Sequence, residues 1–465
     1  MKTKLITSTS LVVAALVTGS IAQAQELQVR MGEPAHGLTA AELNRFALGK
    51  TQFKRQFNAA DGLGPIFNDD SCATCHSTPA IGGASNKFVT RFGKAANGPN
   101  PFDALDSLGG SLLQVQAIDP NVQEFVPPQA DVTASRVTPS AIGAGFVQAI
   151  PDATLLALAA NPPSPNVSGI AHMVTKLEDP LGPQVVGRFG WKAQVATMLT
   201  FSGDAGLMEM GITNHLVPTE QAPNGNGALL AVFDTVADPE DNAPVGQRII
   251  DRWDDFQRLL AVPPQWPPQG TMSGEVLFNQ VGCADCHVTT FVTGAAPEAA
   301  LSGKVIHPYS DFLLHDMGSL GDGIVQGQGT EKEMRTSALW GVRFRNVLLH
   351  DGRVNSGSFS TLINQAVGFH DGEAAASRNA YQALSPADQA KVVAFLDSLG
   401  RLEFDVDGDN DRDDIDWFFL KPLFTGPAAG SFNADAAGTI GDSDLDGDFD
   451  LADFGRYQRG FTGQP

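Results

Sequence analysis

Cys72-Ala73-Thr74-Cys75-His76 and Cys283-Ala284-Asp285-Cys286-His287 are two copies of one pattern, and they decide what kind of chain this is. Two thiols three positions apart can reach the two vinyl groups of one haem, and the histidine that follows offers an imidazole to the iron. Together the motifs use all four cysteines of the chain, which leaves none for a disulfide or a zinc site. A thioredoxin-type redox pair is the competing reading of a lone Cys-x-x-Cys, and the trailing histidine and the duplication count against it. Two covalent c-type haems are expected, one on Cys72, Cys75 and His76, the other on Cys283, Cys286 and His287.

A sixth ligand on each iron would separate electron transfer from catalysis. No histidine lies between His76 and His172, so the first haem has no nearby partner in sequence. After His287 the candidates are His307, His315, His350, His370, Met317 and Met334. A lone histidine is more often structural than a ligand, so type alone selects none of them.

The 465 residues surrounding these motifs bound the class. An apolar share of 42% with 28 phenylalanines excludes a largely disordered chain. A net charge of −22 argues against a general nucleic-acid binder. Residues 1–24 read as a secretory signal, with Lys2 and Lys4 before the apolar run Leu11 to Val17 and the small-residue site Ala22-Gln23-Ala24. Cleavage there would leave a chain outside the cytoplasm, in the periplasm or at the cell surface, at a charge of −24. No other stretch has the roughly 20 apolar residues that a membrane span needs.

Thr39-Ala40-Ala41-Glu42 is a capping box, predicting a helix from about residue 40 into the high forties, just before the first motif. Residues 97–240, rich in Pro, Gly and Asn, read as short helices joined by long loops. The run 261–270 carries four prolines and is the candidate linker. Ser385-Pro386 opens a further helix with Val392, Phe395, Leu396 and Leu399 on one face and Gly400 at its end. These marks divide the chain into a signal (1–24), a first haem domain (25–260), the linker, a second haem domain (271–401) and a tail (402–465).

Over residues 30–400 the motifs resemble the bacterial di-haem cytochrome c peroxidase superfamily, in particular its branch of di-haem oxidoreductases, also labelled thiol oxidoreductases. The residues that carry this are GLGPIFNDDSCATCH at 62–76, GRFGWKAQ at 187–194, EMGIT at 209–213, GCADCH at 282–287, PYSDFLLHDMG at 308–318, EMRTSALWG at 333–341, LHDGR at 349–353 and GFHDGEA at 368–374. The resemblance implies a mainly α fold of two cytochrome-c-like haem domains with long loops. It puts Glu209 over the open face of the N-terminal haem, where a carboxylate can move a proton between the oxygens of bound peroxide. It puts Trp191 between the haems, although a plain core aromatic is the competing reading. It also makes His370 the distal ligand of the second haem, with Met334 as runner-up, and gives His350 an ordering role. Two family features are missing. There is no distal histidine soon after the first motif, and Leu199 stands ten positions before Glu209 where the family has glutamine. His36, His172 and His215 are the distant candidates for the sixth ligand of the first haem.

The tail holds 15 acidic and 4 basic residues and repeats with a period of 37, Asp416 to Gly426 recurring as Asp453 to Gly463. Asp405, Asp407, Asp409, Asp411 and Asp416 fall at positions 1, 3, 5, 7 and 12 of one loop, and Asp442, Asp444, Asp446, Asp448 and Asp453 do the same in the second. This is EF-hand ligand spacing, with Asn410 and Gly447 at the sharp turn of position 6. Each loop is followed by an aromatic-rich stretch, and the pair resembles dockerin repeats. Two Ca²⁺ ions are expected, the bland alternative being a solvated acidic tail.

The leading expectation is an exported di-haem oxidoreductase, peroxidase-like, in which electrons pass from the C-terminal to the N-terminal haem. A non-catalytic electron-transfer cytochrome is the alternative. Two further readings are a haem enzyme that oxidises a protein side chain or polymer, and a surface module whose tail docks to a partner. An electron-donor protein or small redox carrier is the implied partner, with no nucleic acid and no membrane span.

Overall fold

The computed structural model describes residues 27–98, 101–240, 244, 246–427, 430–436 and 439–462, so the signal reading at 1–24 lies outside the described residues. Thr39 and Glu42 cap each other reciprocally, the Thr39 amide donating to Glu42 Oε2 at 2.7 Å and the Glu42 amide to Thr39 Oγ1 at 3.3 Å. The helix they start, α1 (Ala40–Phe53), runs about a turn further than the capping signal alone indicates. With α2 (Met198–Met210) and α3 (Ile249–Leu259) it frames the first half. The second half is framed by α4 (Ser273–Gln280), α5 (Phe359–Gly368) and α6 (Pro386–Ser398), the last capped by Ser385 as its sequence indicates.

The two halves repeat one device. α1 crosses α3 and α4 crosses α6, in both cases at a glycine near the attachment motif. A Cβ on Gly49 would stand 2.5 Å from the Arg252 carbonyl oxygen, and one on Gly274 would stand 2.0 Å from that of Lys391. Only glycine lets the backbones approach this closely.

Residues 97–240 depart from the expected helices and loops. Phe88–Gly93 pairs antiparallel with both Leu112–Leu113 and Val132–Val137 in a three-stranded sheet. The run Val132-Thr133-Ala134-Ser135-Arg136-Val137 has the alternation and β-branching of a strand, and that pattern outweighs the surrounding Pro and Gly.

The Pro-rich segment 261–270 is packed into the body. Trp266 is 2% exposed and donates from Nε1 to the Thr439 carbonyl at 3.1 Å. The first apolar core also continues past it, joining Phe53, Trp253 and Phe256 with Phe291, Leu301, Phe312 and Leu313. Its prolines therefore shape a buried crossing, where the composition had suggested a free linker. A second core gathers Phe278, Tyr309, Leu362, Tyr381, Phe395 and Leu396 around the second motif.

In the tail, α7 (Asp414–Leu420) and α8 (Leu451–Gly460) each follow an aspartate-rich loop. Phe404, Leu420, Phe449 and Tyr457 form its own small core, against which Leu27 packs from the other end of the chain. Among the described residues no helix is long and apolar enough to cross a membrane.

Candidate active site

Each Cys-x-x-Cys-His segment forms a single tight turn in which the histidine amide donates to the first cysteine's carbonyl, at 2.9 Å in both copies. None of the four cysteines is in a disulfide. Burial pushes the Cys75 and Cys283 thiols up to about 12, and raises those of Cys72 and Cys286 as well. All four line the cavities on which their motifs open, where thioether bonds would hold a haem.

The first motif opens on a cavity lined by Cys72, Cys75, His76, Arg91, Trp191, Asp204, Met208 and Glu209 among others. His76 donates from Nδ1 to the Gly83 carbonyl at 3.0 Å, which leaves Nε2 as the lone-pair nitrogen. Burial lowers its pKa and keeps it neutral. Among the described residues no other histidine lines this cavity. His36 bonds the Leu27 carbonyl, His172 is held between Lys192 and Gln328, and His215 lies exposed, and none of the three lines this cavity.

Glu209 sits in the last turn of α2 and faces this cavity. Asn68 fixes it: Asn68 Oδ1 accepts from the Val115 amide at 3.1 Å, which turns the amide nitrogen to donate to Glu209 Oε2 at 2.7 Å. Burial raises the Glu209 pKa to about 7, against the opposing pull of Asn68 and the Arg91 guanidinium. Such a group can take or give a proton near neutrality. Asp204, on the same helix, faces the cavity as a second carboxyl, its pKa also raised by burial and opposed by Arg91.

The second motif opens on a cavity lined by Cys283, Cys286, His287, His315, Met317, Met334, Arg335, Arg345, His350 and His370 among others. His287 donates from Nδ1 to the Tyr309 carbonyl at 2.9 Å, and His370 from Nδ1 to that of Ala366 at 2.8 Å. Both therefore keep Nε2 free, and burial holds both neutral, His287 down at about 4. Met334, the runner-up ligand, packs with Trp191, Val137 and Val347. His315 is of another kind. Burial alone would lower its pKa, but Asp311 at 2.8 Å and Glu373 at 2.8 Å, one on each ring nitrogen, hold it up to about 12.

Trp191 lines both cavities. Its Nε1 donates to the Val137 carbonyl at 2.9 Å, and its ring meets His350 edge-on at 6.1 Å between centroids.

Asn68 and Arg335 fall inside the motifs at 62–76 and 333–341 without a role of their own in the sequence, and Arg91, Asp204 and Arg345 carry no local pattern. Arg345 tests the fit to haem most directly. Its guanidinium lines the second cavity with no ion pair or hydrogen bond among the described residues, and burial alone pulls its pKa down to about 10. Arg335 there bonds only backbone carbonyls, of Gly190 at 2.6 Å and Thr336 at 3.0 Å. Guanidinium groups placed so are costly without an anion, and the two carboxylates of a haem supply one. Removing the cation of Arg345 disfavours the reduced iron. Arg345→Leu is therefore expected to lower the midpoint potential of one haem by roughly tens of millivolts, about 59 mV being a tenfold shift in a one-electron equilibrium. A spectroelectrochemical titration matching that of the parent would contradict this placement.

In the tail, carboxylate oxygens of Asp405, Asp407 and Asp416 lie within 4.8 Å of one another, as do those of Asp411, Asp413 and Asp416, of Asp442, Asp444 and Asp453, and of Asp448, Asp450 and Asp453. Asp409 and Asp446 stand outside these groups and accept from the amides of Asp411 and Asp448. The position-6 residues adopt left-handed backbone, φ 76° at Asn410 and 95° at Gly447. Burial and neighbouring aspartates raise Asp411 to about 6, and burial is the chief cause of the rise of Asp416 to about 7.

A family model described as "Di-haem oxidoreductase, putative peroxidase" matches residues 123–399. The match spans Trp191, Glu209, the second attachment motif and His370, and begins after the first motif. Among solved structures, hydrazine synthase of Kuenenia stuttgartiensis is similar at 13% identity, over 84% of this chain and 100% of that one, with a TM-score of 0.35. A MauG-like protein associated with microbial copper homeostasis is similar at 14% identity, over 81% and 93%, with a TM-score of 0.36. A comparison with curated protein sequences found no match.

Proposed function

We propose that this chain, which belongs to the di-haem oxidoreductase family, is an exported peroxidase-like enzyme with two unequal haem sites. Cys72, Cys75 and His76 would hold one haem, and Cys283, Cys286, His287 and His370 the other. The observation that carries this is the asymmetry of the two cavities: His76 is the only histidine lining the first among the described residues, whereas four line the second, and two of these, His287 and His370, bond a backbone carbonyl through Nδ1 and keep Nε2 free.

Bound haem would supply the redox chemistry, one-electron steps at one site and reduction of peroxide or a similar oxidant at the other. The chain's own residues do the rest. Glu209, its Oε2 held by Asn68 Nδ2, would take and return a proton in the first cavity. Trp191 packs the wall common to both cavities. An electron-donor protein or small redox carrier would deliver electrons at the C-terminal site.

The tail would bind two Ca²⁺ through the two sets of aspartates, the four close carboxylate groups being the support for this. Its α7 leaves Phe418 72% exposed beside exposed Ile415 and Phe419, an apolar face suited to docking a protein partner. A cleaved signal at residues 1–24 would put the enzyme in the periplasm or at the cell surface.

Low-temperature electron paramagnetic resonance of the ferric protein tests the asymmetry. One high-spin and one low-spin signal in equal amounts are expected, with cyanide converting only the first. Two low-spin signals and no cyanide binding would establish the electron-transfer cytochrome instead.

A further inference from the structure

The tail repeats are fastened to the body of their own chain, and the fastening runs through the first loop. Asn410, at position 6, accepts from the Met31 amide on Oδ1 at 3.0 Å and donates from Nδ2 to the Met31 carbonyl at 3.2 Å. Met31 itself is buried in the first core. Beside it the Gln28 amide donates to Glu403 Oε1 at 2.7 Å, and Arg412 Nη2 donates to the Gln28 carbonyl at 3.1 Å. Arg412 and Glu403 are both buried and form an ion pair at 2.8 Å. Gln28 Nε2 continues the line to the Gln265 carbonyl at 3.0 Å, next to Trp266 and its bond to Thr439. On the other side Ala434 and Phe432 of the tail belong to the second core. One small module thus touches the N-terminal segment, the Pro-rich crossing and the core around the second haem motif.

The first loop also carries a sign of a ligand beyond its count of aspartates. Asp411 is 5% exposed and its Oδ1 has no hydrogen-bond partner, although its carboxylate lies within 4.8 Å of those of Asp413 and Asp416. Three close carboxylates, one with an orphaned buried oxygen, call for a hard cation. The same loop sets the left-handed backbone of Asn410 and so aims its amide at Met31. Its counterpart in the second loop is Gly447, which has no side chain to dock.

We propose that Ca²⁺ in the first loop closes an intramolecular clamp, in which Asn410 ties the N-terminal segment 27–31 to the tail and, through it, to the C-terminal haem domain. The calcium loops serve here to hold their own chain together, a role that rests on the calcium reading above but goes beyond it.

The test uses the full-length, haem-loaded protein with Ca²⁺ or with a chelator, read by amide hydrogen exchange, with bound calcium measured by atomic emission. Calcium is expected to slow exchange at the Met31 amide together with the loop, by up to about 100-fold when Ca²⁺ is 100-fold above its Kd. Asn410→Gly keeps every carboxylate and a turn-compatible residue, so it should bind calcium with the tail still protected, while losing the calcium-dependent protection of Met31. If calcium binds and protects the tail but exchange at 27–31 is the same with and without it, the clamp is refuted. If no calcium binds at all, the calcium reading falls and the clamp with it.

Discussion

Replacing Glu209 by glutamine is expected to cut peroxide turnover by roughly 10²–10⁴-fold, the usual contribution of a positioned acid–base group. The substitution keeps the shape of the side chain and an oxygen able to accept from Asn68 Nδ2, so the cavity should retain its form. It removes only the ability to exchange a proton. In the wild type, burial outweighs Asn68 and Arg91 and places the carboxyl at about 7. To accept the first proton of peroxide it must start deprotonated, so kcat/KM should climb as pH rises through about 7 and level off above. The glutamine variant should lose that limb while its ferric spectra and melting temperature stay close to the parent. Stopped-flow reduction of peroxide across pH 5–9 reads both effects. A variant with full turnover, or an unchanged pH profile, would remove Glu209 from the reaction and leave Asp204 as the carboxyl to examine.

What could be read from the residues follows from how local each signal is. Cys-x-x-Cys-His is a five-residue statement, and its turn geometry is the same in both copies because the histidine amide closes it on the first cysteine. The capping box at Thr39 and the Ser385-Pro386 start are equally local, and both helices begin where those residues indicate. His370 was placed by a motif, and the structure brings it to the cavity of His287. The strands at 88–137 were obscured because their Pro- and Gly-rich flanks dominate the composition. The packed character of 261–270 was invisible because prolines look alike in a free linker and in a buried crossing. Arg345 has no sequence signature, and Asn68 lies in the motif at 62–76 with nothing local to show that it meets Glu209. Their meaning lies in contacts made, or left unmade, across more than forty positions.

The second large effect concerns what holds Trp191 in place. Lys192, 0% exposed, pairs with Asp322 Oδ1 at 3.0 Å, and Arg136 pairs with Asp322 Oδ2 at 2.7 Å. Each cation adjoins the tryptophan's setting, Lys192 as its chain neighbour and Arg136 as the neighbour of Val137, whose carbonyl takes the Trp191 Nε1 proton. Burial alone would raise the Asp322 carboxyl, but the two cations outweigh it and hold its pKa below the usual value. Its folded pKa being depressed, Asp322 contributes stability above its unfolded pKa near 3.8, and that contribution is lost as pH falls through the lower folded value. Asp322→Asn imposes the same loss at neutral pH, because it leaves two buried cations facing a neutral amide. Removing one partner of a buried ion cluster costs about 3–5 kcal/mol. Lys192 keeps the carbonyls of Thr330 at 2.7 Å and Glu333 at 2.6 Å, which sets the expectation at the lower end. The melting temperature of the haem-loaded protein should therefore fall by roughly 3–5 °C in scanning calorimetry, the shift being about 1 °C per kcal/mol for a chain of this length. Inter-haem electron transfer, followed after flash reduction of the C-terminal site, should slow as the indole loses its fixed setting. Combining Asp322→Leu with Lys192→Met and Arg136→Met removes all three charges, and should recover much of the lost stability. If Asp322→Asn melts with the parent, the three charges do not act as a unit. If it melts early yet transfers electrons at the parental rate, the cluster stabilises the fold without positioning Trp191.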